Sequence, residues 1–265
     1  MKRRTRKTIT RISVLLFFTG TIFYFHKQVV RFGYLVYREY EWRNFPENIY
    51  SGPIDVPTNY SVNGIDVSRW QSNLDWKKLS ALNSKGDTIP LSFALIKATE
   101  GILWEDPMFE DNWANAKKAG VTRGAYHYFK PNASPTLQAK NFIGSVALKQ
   151  GDLPPVLDIE ERGSNSKQEF VKSVKIYLQI IEQHYHCKPI IYSNVNFIEN
   201  YLADDFSTYQ FWIANYYVDK PATSGNIKWA FWQYRDRVRI AGCNECVDMN
   251  VFKGSQEDFN AILIQ

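Results

Sequence analysis

The stretch Pro154-Pro155-Val156-Leu157-Asp158-Ile159-Glu160-Glu161 decides how the rest of the chain is read. Two prolines stop any preceding helix, and a short apolar run then ends in acids, the pattern of a buried strand with a polar C-terminal end. Side chains alternate along a strand, so Asp158 and Glu160 share one face and Leu157 and Ile159 the other, with the acidic Cα atoms roughly 6 to 7 Å apart. A converging carboxylate pair at the end of a strand suits an α/β barrel, where active sites form at that end. Glycoside hydrolysis needs such a pair: one protonated acid for the leaving oxygen and one carboxylate to support positive charge at the anomeric carbon.

Further strand-like runs lie on both sides of this one. They are Val62 to Val67, Ser92 to Lys97, Gly124 to Phe129, Pro189 to Ser193, Phe211 to Ala214 and Trp229 to Tyr234. Helical periodicity covers Pro107 to Ala119, Pro135 to Leu148 and Ser166 to His184, so the first five strands are expected to be parallel. Between Phe211 and Val251 helical signal is weak, which predicts closure by hairpin-connected strands. The expected fold class is α/β, a barrel that begins as β/α units and finishes as β. Two more acids, Asp66 in Gly64 to Gln71 and Asp248 in Val247 to Phe252, also sit in strand-like surroundings. Four carboxylates around one barrel mouth raise the proton affinity of at least one, which suits a general acid working near neutrality.

The order and spacing of several segments resemble glycoside hydrolase family 25, the N-acetylmuramidase lysozymes, from about Asn63 to Phe252. The segments are GIDVSRWQ (64–71), FALIKATEG (93–101), GAYHYFKP (124–131), PVLDIE (155–160), IIYSN (190–194), FWIANY (211–216), FWQY (231–234) and VDMNVF (247–252). The resemblance implies a flattened (β/α)5(β)3 barrel and hydrolysis of the β-1,4 bond after N-acetylmuramic acid in peptidoglycan glycan strands. It implies Glu160 as general acid/base, Asp158 as the acid that orients and polarises the 2-acetamido group in a retaining, substrate-assisted route, and Asp66 and Asp248 as further acids of the site. Tyr126 and Tyr192 are implied as substrate-binding faces. Tyr128, Trp212, Trp232 and Tyr234 lie in matching strands too, and alternation lets only some of them face the mouth. The loop Gly242-Cys243-Asn244-Glu245-Cys246 departs from the family pattern.

Two other readings compete: a hydrolase of another N-acetylated glycan such as chitin, and a catalytically silent wall-binding module. A silent module usually loses an acid, whereas all four are present. No cofactor or metal is expected, because Cys-x-x-Cys supplies only two ligands and three cysteines leave one over. Both a local Cys243–Cys246 disulfide and a bridge to Cys187 are open in an exported domain. His184 and His186 are expected at a helix C-terminus, where cations are favoured, and His127 as a hydrogen-bonded structural residue.

The formal charge of the 265-residue chain is +5, but six cations (Lys2, Arg3, Arg4, Arg6, Lys7 and Arg11) crowd the first eleven residues. From Val62 onward 22 Lys and Arg face 23 Asp and Glu, which excludes a phosphate-binding surface and hence nucleic acid. The cationic start followed by Ile12 to Phe25 reads as an uncleaved signal anchor, residues 1–28, with the domain outside the cytoplasm, or as a secretion signal if it is cleaved. Fourteen residues span about 21 Å, so the membrane helix borrows its neighbours. Residues 29–61, broken by Pro46, Pro53 and Pro57, form a juxtamembrane segment and linker in which Val29 to Trp42 could recruit a protein partner. Residues 62–265 form the catalytic barrel.

Overall fold

The computed structural model describes Phe25 and residues 56–57, 59–71, 73–225 and 227–265. The anchor and most of the linker expected from sequence lie outside the described residues. Among those described, no helix is long and apolar enough to cross a membrane.

Eight strands close into a barrel: β1 (Asn63–Val67), β4 (Phe93–Glu100), β6 (Thr122–Tyr128), β7 (Val156–Asp158), β8 (Ile190–Asn194), β9 (Gln210–Ala214), β10 (Trp229–Val238) and β11 (Val247–Phe252). The circle is closed by β1, which pairs in parallel with β4 and antiparallel with β11; the two-residue β5 (Trp104–Glu105) pairs antiparallel with the end of β4 outside the circle. Three helices span the expected segments: α1 (Phe109–Lys118), α2 (Pro135–Ser145) and α3 (Lys167–Tyr185). Local chemistry fixes their ends. Ser134 caps α2 ahead of Pro135, Ser166 and Glu169 form a capping box on α3, and α1 opens on Glu110 and Asp111 and ends on Lys117 and Lys118. His184 lies in the last turn of α3, and His186 is its left-handed C-cap, as the sequence suggests.

The topology corrects two expectations. β9 and β10 are parallel and joined by residues 215–228, so of the three closing strands β9, β10 and β11 the hairpin is β10–β11. A parallel crossover needs a dozen or so residues but not always a helix, and this one has no helix among the described residues, so its periodicity could not reveal it. The first crossover likewise carries no helix among the described residues. It holds a small hairpin, β2 (Ser80–Leu82) with β3 (Thr88–Pro90), leaving helices on four crossovers. The fourth is a short α4 (Val195–Phe197) that runs into a π-helical turn, Ile198–Leu202.

Strand alternation separates two cores. Outward residues such as Ile65, Ala94, Leu157, Ile191 and Trp232 pack beneath the helices. Inward residues fill the barrel in layers. At the floor, Phe93, Phe231 and Phe252 meet Phe259 of the terminal helix α5 (Gln256–Ala261) with ring centroids 5.2 to 6.3 Å apart. Gly64 belongs to this floor because a Cβ there would lie 2.5 Å from the Phe93 carbonyl oxygen and 2.6 Å from its ring. With one end plugged by apolar rings, the polar inward residues collect at the other.

Candidate active site

The next rung up from Phe93 and Leu95 on β4 is Lys97, and the rung up from Val156 on β7 is Asp158. Alternation therefore carries both side chains from the apolar interior into a cleft of about 280 Å³ at the C-terminal mouth. Asp66, Asp158, Glu160 and Asp248 all line this cleft, as do Tyr126 and Tyr192. All six sequence-derived site residues are thus brought together. Glu160 lies two residues past the end of β7, yet Ile159 N–H still donates to Tyr192 O (3.0 Å), so extended pairing continues to its neighbour.

A buried amide network organises the acids. Asp66 Oδ2 accepts from Gln233 Nε2 (2.6 Å) and Asn250 Nδ2 (2.7 Å), and Gln233 Nε2 also reaches Asp248 Oδ2 (3.3 Å). The carbonyl end of Gln233 accepts the hydroxyls of Tyr192 and Tyr216, each at 2.7 Å, and Trp212 Nε1 donates to Asn250 Oδ1 (2.7 Å). These contacts fix which end of each amide faces the acids. A bulge in β10 places Arg237 at φ 55°, and its N–H donates to Asp248 Oδ1 (3.1 Å).

The electrostatics follow from burial. Desolvation, then repulsion from Glu160, pushes Asp158 well above the usual carboxylate range, and its Oδ1 has no hydrogen-bond partner. Asp66 is raised by desolvation and by Asp248, and Asp248 itself is pushed up to about 6, chiefly by burial. Glu160 is raised by burial, against which Lys97 works. All four carboxyls therefore release their protons at higher pH than exposed carboxyls do.

Alternation sorts the aromatic candidates. Tyr128 and Trp212 line the cleft, whereas Trp232 and Tyr234 point outward into the core under the helices, so neither offers a face to a sugar. His127 is buried and stacked on Tyr177 (5.1 Å), with Nδ1 2.7 Å from Thr99 Oγ1 and Nε2 3.2 Å from Gln138 Oε1. Burial lowers it to about 4, so it is a neutral structural residue, as expected.

Cys187, Cys243 and Cys246 form no disulfide, which closes the pairings left open above. The loop that carries two of them has a structural link to the cleft. Cys246 O accepts from Gln71 Nε2 (2.6 Å), and Gln71 Oε1 accepts the N–H of Ser68 (3.0 Å), fixing the turn after Asp66.

Sequence reading missed Lys97, Gln233, Asn250 and Tyr216. Each sits inside a quoted motif, and the available signal was a polar residue on the inward phase of an otherwise apolar strand, as Gln233 is in Phe231 to Tyr234.

Residues 65–243 match the family described as Glycosyl hydrolases family 25. The chain is 39% identical over 262 residues to YegX of Escherichia coli (strain K12), covering 98% of this chain and 95% of that one. It is 36% identical to Lysozyme M1 of Streptomyces globisporus, covering 79% and 73% respectively. Among solved structures, the bacterial lysozyme from Streptomyces coelicolor superimposes with a TM-score of 0.68 at 32% identity, covering 77% of this chain and 97% of that one.

Proposed function

We propose, from the premise that this chain belongs to glycosyl hydrolases family 25, that it cuts the β-1,4 bond between N-acetylmuramic acid and N-acetylglucosamine with Glu160 and Asp158. It is a glycoside hydrolase of the muramidase kind, and peptidoglycan is its substrate class. The bond, the stereochemical route and the residue roles are the finer reading, and one observation carries them. Asp158 Oδ1 is buried at the cleft with no partner, and a buried acceptor left unmet is costly. The N–H of a substrate acetamido group is the donor that would satisfy it.

In this reading Glu160, protonated, gives its proton to the glycosidic oxygen as the C1–O bond breaks. The acetamido carbonyl oxygen attacks C1 from the other face and forms a bicyclic cation, while ionised Asp158 accepts the N–H and stabilises the positive charge. Water then attacks C1 and displaces the acetamido oxygen, whose bond to C1 breaks to restore the acetamido group, while Glu160, now a carboxylate, takes the water's proton, and configuration is retained. Asp66 and Asp248, held by Gln233 and Asn250, form the facing wall, and Tyr126 and Tyr192 pack beside the sugar.

Digestion of purified peptidoglycan by the full-length chain, followed by mass spectrometry of reduced products, tests this reading. New reducing-end muramic acid supports it. Reducing-end glucosamine, or cleavage of chitin alone, overturns it. The basic residues before Ile12 and the apolar run to Phe25 support a further proposal, that the domain is held outside the cytoplasm on a membrane. Recovery of the intact chain in the soluble cytoplasmic fraction would refute that.

A further inference from the structure

Four carboxyl groups line the cleft, and among the described residues Lys97 is the one Lys or Arg that lines it with them. Its Nζ is 2.7 Å from Glu100 Oε2, and among the described residues no other acid lies at ion-pair distance from it. The opposite oxygen of Glu100 holds Lys130 at 3.2 Å. Rings and cations alternate along this wall. Arg69 lies 4.9 Å from the rings of both Trp70 and Trp104, Lys97 is 5.3 Å from Trp104 and 4.8 Å from Tyr128, and Lys130 is 4.5 Å from Tyr128. Each ring face attracts the cation it meets, so Lys97 is gripped between two rings and one carboxylate.

We infer that Lys97 is a positioning residue for the reaction: its clamped ammonium sets how many protons the Asp158/Glu160 pair carries, acting through space. This rests on the roles proposed above for the pair. Burial and mutual repulsion make two neighbouring acids hold protons to higher pH, which narrows the range in which one is the anion that the acetamido group needs. A cation in direct contact with either acid would lower its pKa by about one to three units more and narrow the range in which the other is still a general acid. Lys97 avoids this because Glu100 holds its ammonium, so it opposes the effect of burial at both Asp158 and Glu160 without neutralising either.

The other groups around the pair do not replace it. The acids Asp66 and Glu100 hold protons on Asp158, and Glu161 and Glu100 hold them on Glu160. Lys130 pairs with Glu100 and lies 3.8 Å from Glu161; it also opposes burial at Glu160, but among the causes at Asp158 the opposing cation is Lys97, and Arg69 is stacked between tryptophans. Tyr126, Tyr128 and Tyr192 are raised by burial and His127 is lowered by it, so all four are neutral where the enzyme works.

The test is the pH profile of kcat/KM on soluble glycan strands. In Lys97→Met both limbs move up by about one pH unit, the usual size of one lost charge partner. In Glu100→Gln, which removes an anion and frees Lys97 toward the pair, both limbs move down. Lys97→Arg keeps the wild-type limbs. Because the two acids titrate together, the limbs belong to the pair. Lower rates or melting temperatures with unmoved limbs in all variants would show a merely structural role and overturn the inference. If Lys97→Met fails to fold, Lys97→Gln, which removes the same charge and keeps a polar side chain, decides by the same upward shift. A Glu160→Gln control keeps the two readings apart, since activity in that variant sinks the proposed site, whereas inactivity there with unmoved limbs here sinks only the role of Lys97.

Discussion

Asp66 on β1 and Asp248 on β11 stand directly opposite each other across an antiparallel pair, and a single amide nitrogen, that of Gln233, donates to both. Like charges so placed repel. The arrangement survives because the amide supplies donors to the acids at one end and accepts two tyrosine hydroxyls at the other.

Replacing Gln233 by Leu removes both ends of this bridge. The hydroxyls of Tyr192 and Tyr216 lose their acceptor and Asp66 keeps only Asn250, so stability should fall by about 1 to 3 kcal/mol. Asp66 should bind its proton more tightly, and turnover should drop at least tenfold, roughly the effect of one misplaced polar contact. Urea melts and steady-state rates read both; a variant with wild-type rate would remove Gln233 from the site.

Stability should rise on mild acidification. Asp248 is pushed up to about 6 by burial, so between roughly pH 4 and 6 the folded chain binds a proton that the unfolded chain, titrating near 3.9, does not. The sign is that folding gains as pH falls through 6, opposite to a salt-bridged acid. Thermal melts from pH 7.5 to 5 should shift upward, and Asp248→Asn should flatten that slope. A melting temperature that falls steadily over this range in the wild type would contradict the assignment.

Glu160→Gln keeps size and removes the transferable proton, so peptidoglycan digestion should slow by about a hundredfold to ten-thousandfold. A glycoside with a good leaving group should recover much of that loss. Asp158→Asn should be impaired on both substrates, because its work is at the acetamido group. Equal recovery in the two variants would dissolve the division of roles.

At the opposite end of the barrel, Phe259→Ala should cost about 3 to 5 kcal/mol through the cavity it leaves among Phe93, Phe231 and Phe252. Since the floor lies at the opposite end of the barrel from the carboxylates and makes no contact in the transition state, the rate per folded molecule at low temperature should stay close to wild type. Calorimetry and low-temperature kinetics separate the two effects.

Much of the barrel was legible in the chain because period-2 and period-3.6 patterns write themselves locally. The strand around Leu157 and Ile159, the capped helix from Ser166, and the four acids at strand ends needed nothing but alternation, capping chemistry and order. The floor helix carrying Phe259 and the small hairpin from Ser80 to Pro90 were not read, since short elements leave too few periods to show. The parallel pairing of β9 with β10 was missed because its crossover is irregular.

The sequence by itself determined which residues could do chemistry: Asp158 and Glu160 must point the same way two residues apart, and Asp66 and Asp248 must lie on strands that can reach the same mouth. Only the tertiary structure decided their partners. That Gln233 bridges two acids 182 positions apart in sequence, that Lys97 leans on Glu100 instead of Asp158, and that the Arg237 N–H reaches Asp248 depend on barrel closure and on the bulge in β10. Periodicity states which face a residue takes, whereas hydrogen bonding and desolvation depend on what lies across the barrel, and that is fixed only when distant strands meet.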